Sequence, residues 1–341
     1  MKKRIGIPRA LSYYTFYPLW KSFLEELGLE VVISGETNRK HVEKGIFLTV
    51  TDACIPIKLL HGHIAELKDK VDYIFLPRLV SADGISTFCP KFLGLPDMVR
   101  HSMPGLPIII DVRYHMKRGS FSLWKFLAQV GKMLGYNFYS IGKGYIKAKK
   151  TFRLFLRLQQ QGFLPDQAMK IIEGKKIKDK CVSVLKKSIP HPLRLAVLGY
   201  PYALYDSYVN VGLFEKLKKM GVEILTPEML TAKAMKSASR FLKQNLFWYY
   251  SNKVVWAAMH VLKERKDIHG IIHVTAFGCG PDAMVDKLVE LEAKKHAMPF
   301  LPLTIDEHSG EGGVLTRLEA FVDMLKYRMQ QDENLLAEGC S

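Results

Sequence analysis

The sequence predicts an α/β protein made of two related Rossmann-like domains with parallel sheets, plus a basic helical segment between them. Three observations carry this expectation. Short apolar runs alternate with segments of helical periodicity, and strands without a polar face belong in a parallel sheet covered on both sides. The alternation stops near residue 120 and resumes at Leu193. The two stretches also share a repeat. Pro8-Arg9-Ala10-Leu11 matches Pro201-Tyr202-Ala203-Leu204 at an offset of 193, and the same offset carries Leu27-Gly28-Leu29-Glu30-Val31-Val32 onto Met220-Gly221-Val222-Glu223-Ile224-Leu225.

In chain order, Arg4–Pro8 reads as a strand and Tyr17–Leu27 as a helix, from its apolar spacing. Glu30–Ser34 and Gly45–Thr51 read as the next strands. Ile57–Lys68 places Leu59, Leu60, Ile64 and Leu67 on one helical face. Asp72–Pro77 and Leu106–Asp111 are buried strands. From about 120 to 190 the chain is helical and basic, with breakers expected at Gly142–Gly144, Pro165 and Pro190–Pro192. Strands follow at Arg194–Gly199, Val222–Leu225, Gly270–Thr275 and Phe300–Ile305. Helices are expected at Gly212–Met220, Ser237–Glu264 and Thr316–Tyr327, and a polar, partly disordered tail after Arg328. The divisions are therefore 1–118 (first α/β domain), 119–190 (basic linking helices), 191–330 (second α/β domain) and 331–341 (tail).

A chain of 341 residues with 48% hydrophobic content can fill real cores. Five cysteines at this length do not make a disulfide framework. The start, MKKRIGIPRAL, has no apolar run of signal-peptide length, and no apolar stretch reaches about 18 residues, so no membrane span and a cytoplasmic location are expected. The net charge of +17 is concentrated: Lys117–Lys187 holds 17 Lys and Arg against Asp166, Glu173 and Asp179. Such a stretch attracts polyanions, whether nucleic acid, an acidic protein or a phosphorylated ligand such as coenzyme A; a merely solvated helical face is the plainer reading.

Cys54, Cys89 and Cys279 stand out among the five. Each is placed at or near a strand end and is followed directly or within two residues by proline or glycine. Cys54 is expected after the 45–51 strand, Cys89 after the 72–77 strand by way of a loop, and Cys279 after the 270–275 strand. Ligands of open α/β sheets sit beyond the carboxyl ends of strands, so two such domains offer a cleft for one shared site. Three thiolates on loops can hold one iron–sulfur cluster and leave one iron without cysteine. Gly278 and Gly280 let the backbone approach such a group, and Pro56 and Pro90 stiffen their loops. Zinc with His61 or His63 as fourth ligand, a single nucleophilic cysteine, and ordinary buried thiols are the other readings. Cys181 and Cys340 are expected to lie outside the site.

These segments resemble the activase-related proteins of the 2-hydroxyacyl-CoA dehydratase group. The resemblance runs through IGIPRALSYYTFYPLW, LGLEVVIS, TDACIPIKLLHGHI, DYIFLPR, FCP, FGCGPD and LTIDEHSGEGGVLTRLEAF. The wider family includes iron–sulfur subunits of 2-hydroxyacyl-CoA dehydratases and benzoyl-CoA reductases, and double-cubane cluster proteins. The resemblance implies that Cys54, Cys89 and Cys279 ligate a [4Fe–4S] cluster or a double cubane. It also implies a separate ATP-hydrolysing activase as reductant, since the chain lacks the G-x-x-x-x-G-K-[ST] phosphate loop. A small-molecule or acyl-CoA substrate and a homodimer are the further partners expected; nucleic acid and membrane are not.

Catalytic candidates are His61, seven residues from Cys54, and Asp306 and Glu307, which open the Ser309–Gly313 loop. Gly310, Gly312 and Gly313 offer N–H groups to an anion, or simply start a helix. Arg9 sits in the first strand-end loop, where an anion has room. The function expected is low-potential electron transfer, or reduction or dehydration of a small substrate. The alternatives are a non-catalytic module for a phosphorylated ligand or nucleic acid, and a cluster-storage protein.

Overall fold

Two parallel four-stranded sheets and a parallel two-stranded ribbon organise the chain. The structure is a computed structural model that describes residues 2–116, 121–175 and 192–338. Its first part runs β1 (Arg4–Ile7), α1 (Tyr13–Glu26), β2 (Glu30–Ile33), α2 (Arg39–Phe47), α3 (Ile55–Leu67), β3 (Tyr73–Phe75), β4 (Arg78–Ser81), α4 (Pro90–Ser102), β5 (Ile108–Ile110) and β6 (Arg113–His115). Helices α5 (Phe121–Met133), α6 (Phe138–Gln160) and α7 (Pro165–Ile172) follow. The last part is β7 (Arg194–Gly199), α8 (Pro201–Leu204), α9 (Leu213–Lys219), β8 (Glu223–Leu225), α10 (Ala232–Ser239), α11 (Tyr249–Glu264), β9 (Gly270–Ala276), α12 (Gly280–Lys295), β10 (Phe300–Ile305) and α13 (Glu311–Glu338).

The first sheet has the order β2-β1-β3-β5 and the second β8-β7-β9-β10. Counted within each sheet, both place the second strand at one edge, then the first, third and fourth. The apolar runs explain the parallel pairing: β9 is buried at every position and β7 at all but its first. β4 and β6 form the separate ribbon, which extends the first part beyond its sheet. Sequence periodicity does not anticipate these two strands, because three or four residues are too few to show a period.

Several elements differ from the sequence expectation, each for a local reason. Residues 45–51 are not a strand. Asn38 caps α2 through its side chain and His41 completes a capping box, so the helix runs to Phe47 and ends in turns. The β-branched, apolar run that mimics a strand leaves Phe47 and Val50 exposed. Gly142–Gly144 does not break α6. Gly144 is where α6 crosses α1, and a Cβ there would come 2.9 Å from the Phe23 ring, so the glycine serves close approach rather than a turn. The 237–264 segment is two helices, α10 and α11, separated where Trp248 bridges to Thr87 and the Asn252 amide bonds both N–H and C=O of Leu246. The chain beyond Arg328 continues as α13 to Glu338 instead of a loose tail.

The two main sheets are tied together through buried polar and aromatic contacts. Asp206, 3% exposed, accepts from Tyr14 Oη at 3.3 Å and from Thr37 Oγ1, and from the N–H groups of Tyr208 and Val209. Thr15 and Tyr250 share a 3.0 Å hydrogen bond. Phe88 and Phe92 pack on Tyr250, and Phe92 also meets Tyr202, so rings from both parts form one cluster.

Candidate metal centre

Cys54, Cys89 and Cys279 each occupy the N-cap of a helix: α3, α4 and α12 respectively. In all three a proline fills the first turn, Pro56, Pro90 or Pro281, where its missing N–H costs nothing and its fixed φ starts the helix. The prolines therefore begin helices rather than stiffen loops, and Cys54 follows helix α2 and its turns rather than a strand. The three helices have 13, 13 and 16 residues. Each turns the positive end of its dipole toward the cysteine, an environment that favours an anionic sulfur.

The three N-termini come together. Gly278 is in the left-handed region at φ +75°, and a Cβ there would lie 3.6 Å from Cys54 Cα, so the Cys279 loop rests on Cys54. From the Cys89 side, Lys91 Nζ reaches 3.8 Å from Cys54 Sγ. Burial pushes the Cys54 thiol up, Lys91 and the Ile57 N–H pull it back, and Cys89 raises it again. Burial pushes Cys279 up strongly; the Asp282 carboxylate and the other two thiols add to this, and the Asp282 N–H opposes it. Burial and mutual repulsion thus keep the Cys54 and Cys279 sulfurs from ionising unless further positive charge is brought beside them.

Tyr200 and Tyr202, both buried, lie close enough to the thiols to feel their charge. Beyond Cys279, His273 is fully buried with Nδ1 2.7 Å from Asp286 and Nε2 3.4 Å from buried Asp282. Burial alone would lower its pKa, but the two neighbouring carboxyl groups raise it.

A single zinc ion fits less well. Sulfurs about 2.3 Å from one tetrahedral ion stand within about 4 Å of each other. Among the described residues, the trio of His, Cys, Asp or Glu whose ligand atoms lie within 4.8 Å of one another is His41, His63 and Glu66, not the cysteines. That trio is itself a poor metal seat. His41 Nδ1 accepts from the Asn38 N–H, so its proton is on Nε2, donated to Glu66 at 2.7 Å. His63 Nε2 lies 3.0 Å from Thr37 Oγ1, which donates to Asp206. The cluster joins α2, α3 and the Asp206 contact.

Burial lowers the His63 pKa to about 3, with neighbouring His41 contributing, so the folded protein keeps this ring neutral. A folded pKa below the ordinary 6.5 contributes stability that is present above pH 6.5 and lost as pH falls toward about 3, because the unfolded chain then binds the extra proton. The limiting slope is about 1.4 kcal/mol per pH unit. We expect the urea midpoint to fall between pH 6.5 and 4.5, and His63→Gln to flatten that limb. An unchanged slope in the variant would exclude His63 as the source.

The other predicted residues separate. His61 is buried, not at a helix surface, with Nδ1 2.9 Å from the Ile57 carbonyl. Glu307 pairs with buried Lys58 at 2.5 Å, linking the end of β10 to the first turns of α3. A cavity of about 390 Å³ opens there between Ile55, Asp306, Glu307 and the 207–212 loop. Asp306 is absorbed by its own turn, accepting from Ser309 Oγ and the His308 N–H. Gly280 and Gly310, Gly312 and Gly313 have open space at their Cβ positions. Arg9 is not an open anion site: Asp166 holds it at 2.7 Å and Glu36 at 3.4 Å. Cys181, Cys340 and residues 117–120 and 176–191 of the basic segment lie outside the described residues. Lys58, Lys91 and His273 escape sequence reading, because only folding sets them beside the loops they serve.

Fold and site define an α/β protein with parallel sheets and three cysteine-capped helices meeting at one point. Residues 4–230 match the family described as CoA enzyme activase uncharacterised domain, and residues 197–325 match the 2-hydroxyglutaryl-CoA dehydratase D-component. A search of curated proteins found no match. The chain belongs to the CoA enzyme activase uncharacterised domain family, and its second half is related to the dehydratase D-component. No helix among the described residues is long and apolar enough to cross a membrane.

Proposed function

We propose that the protein carries an iron–sulfur cluster of [4Fe–4S] type, single or double cubane, held by Cys54, Cys89 and Cys279. We read the two sheets as two related Rossmann-like domains, 1–118 and 191–330, joined by the basic helices of 119–190. The observation that supports the reading most is the convergence of three cysteine-capped helix N-termini. A cluster with its thiolates is anionic, and three positive helix ends stabilise it. Bound there, the cluster would supply low-potential one-electron chemistry, with one iron open to a ligand other than cysteine.

The chain's own residues hold and shield the group. Gly278 and Gly280 let the backbone approach it, Lys91 adds a positive charge beside Cys54, and Tyr200 and Tyr202 keep water from its buried side. The electrons come from a separate ATP-hydrolysing activase. The substrate is an acyl-CoA or another small molecule that is reduced or dehydrated. Of the candidates His61, Asp306 and Glu307, Glu307 is best placed to face it, because it lines the cavity beside Ile55, the residue after Cys54.

The test is anaerobic purification with iron and sulfide analysis and EPR. About four of each per chain, or about eight for a double cubane, with a signal after dithionite reduction, is expected. A colourless, iron-free protein after anaerobic reconstitution overturns the proposal.

A further inference from the structure

We infer that the groove between α1, α6 and α7 is a docking surface for an acidic amphipathic helix of a partner protein. The groove has a volume of about 970 Å³. Helix α6 carries six basic residues, Lys143, Lys147, Lys149, Lys150, Arg153 and Arg157, and no acid. All but Lys143 line the groove. None of these six enters an ion pair among the described residues, whereas both acids of the groove are neutralised. Glu173 is held by Lys21 and Lys175, and Glu25 by Lys21.

The occupant follows from shape and composition. From Lys147 to Arg157 the charges are strung along about 15 Å of helix. A phosphate group is held by donors that converge on one point; a row along a helix matches a row of carboxylates. Between the charges the surface is apolar: Ile146 is 68% and Leu154 42% exposed, above a floor of Tyr17, Pro18 and Met169. An apolar floor flanked by cations is complementary to a helix with an apolar stripe and acidic edges. A nucleic acid backbone would leave that floor uncovered. Residues 176–191 of this chain are a poor occupant by charge, with five lysines and one aspartate.

Fluorescence anisotropy tests this on the full-length protein. The probe is a labelled peptide of about 18 residues with leucines at i, i+3 and i+7 and flanking glutamates. Its comparators are a scrambled peptide of the same composition, an oligothymidylate and pyrophosphate. The patterned peptide is expected to bind at least about tenfold tighter than its scrambled twin, and to weaken about tenfold between about 50 mM and 300 mM salt. The triple variant Lys147→Glu, Lys150→Glu, Arg157→Glu should abolish binding, and Leu154→Ser should weaken the patterned peptide alone. All four side chains are exposed, and thermal melting confirms that each variant folds. Equal binding of the scrambled peptide, tighter binding of the oligonucleotide or pyrophosphate, or no binding would overturn the inference. Iron content in the same variants stays unchanged, which separates this result from the fate of the cluster proposal.

Discussion

Serine at position 54, 89 or 279 is expected to strip the protein of most of its iron while leaving it folded. Each replacement exchanges a soft thiolate for a hydroxyl that stays protonated and binds iron weakly. The N-cap itself survives, because serine is a good capping residue. Iron per chain after anaerobic reconstitution should fall from about four to below about one for each single variant. The far-ultraviolet spectrum and melting of the iron-free forms should match those of the iron-free parent. Serine at 181 or 340 should retain the full iron content. A Cys279→Ser variant with parental iron and an unchanged EPR signal would remove that residue from the ligand set, and with it the idea that the second half of the chain shares the site.

A second large effect is expected from Gly62→Ala. Helices α2 and α3 cross through a reciprocal pair of glycines. A Cβ on Gly62 would run into the backbone carbonyl of His41, and a Cβ on Gly45 into that of Lys58. Backbone cannot rotate away as a side chain can, so the helices must separate. The cost is placed at about 3 kcal/mol or more, read as a lower urea midpoint. Because α3 begins at Cys54, iron loading should fall with it, and the His41–Glu66 contact should loosen. Gly94→Ala is the control: it sits in α4 with nothing within 4 Å of its Cβ. There the better helix propensity of alanine should be neutral or stabilising by about 1 kcal/mol. If both substitutions behave alike, the close crossing is not what positions α3.

The parallel α/β class was legible because β1 and β7 are apolar after their opening arginine and β9 is mostly apolar, and such runs have few other homes. The three cysteines could be singled out because proline or glycine follows each one. What escaped was the meaning of those prolines. Cys-x-Pro, Cys-Pro and Cys-Gly-Pro are helix starts, and a rule for capping positions applied to a cysteine would have placed all three at helix N-termini. The false strand at 45–51 has the opposite cause. Its residues have high strand propensity, but the Asn38 cap and the buried glycine contact to α3 determine the local structure.

By itself the sequence determined the class of fold, the positions of most strands and the repeat, and it marked out the three cysteines that the fold sets at helix N-termini. Each is a property of neighbouring residues or of one fixed offset, so it is written in one dimension. The tertiary structure alone decided that Lys91 reaches Cys54, that Glu307 meets Lys58 and that Asp206 joins Tyr14 to Thr37. Those pairs lie 37 to 249 residues apart in the chain. Their contact depends on how elements distant in the chain pack together, which no local pattern records.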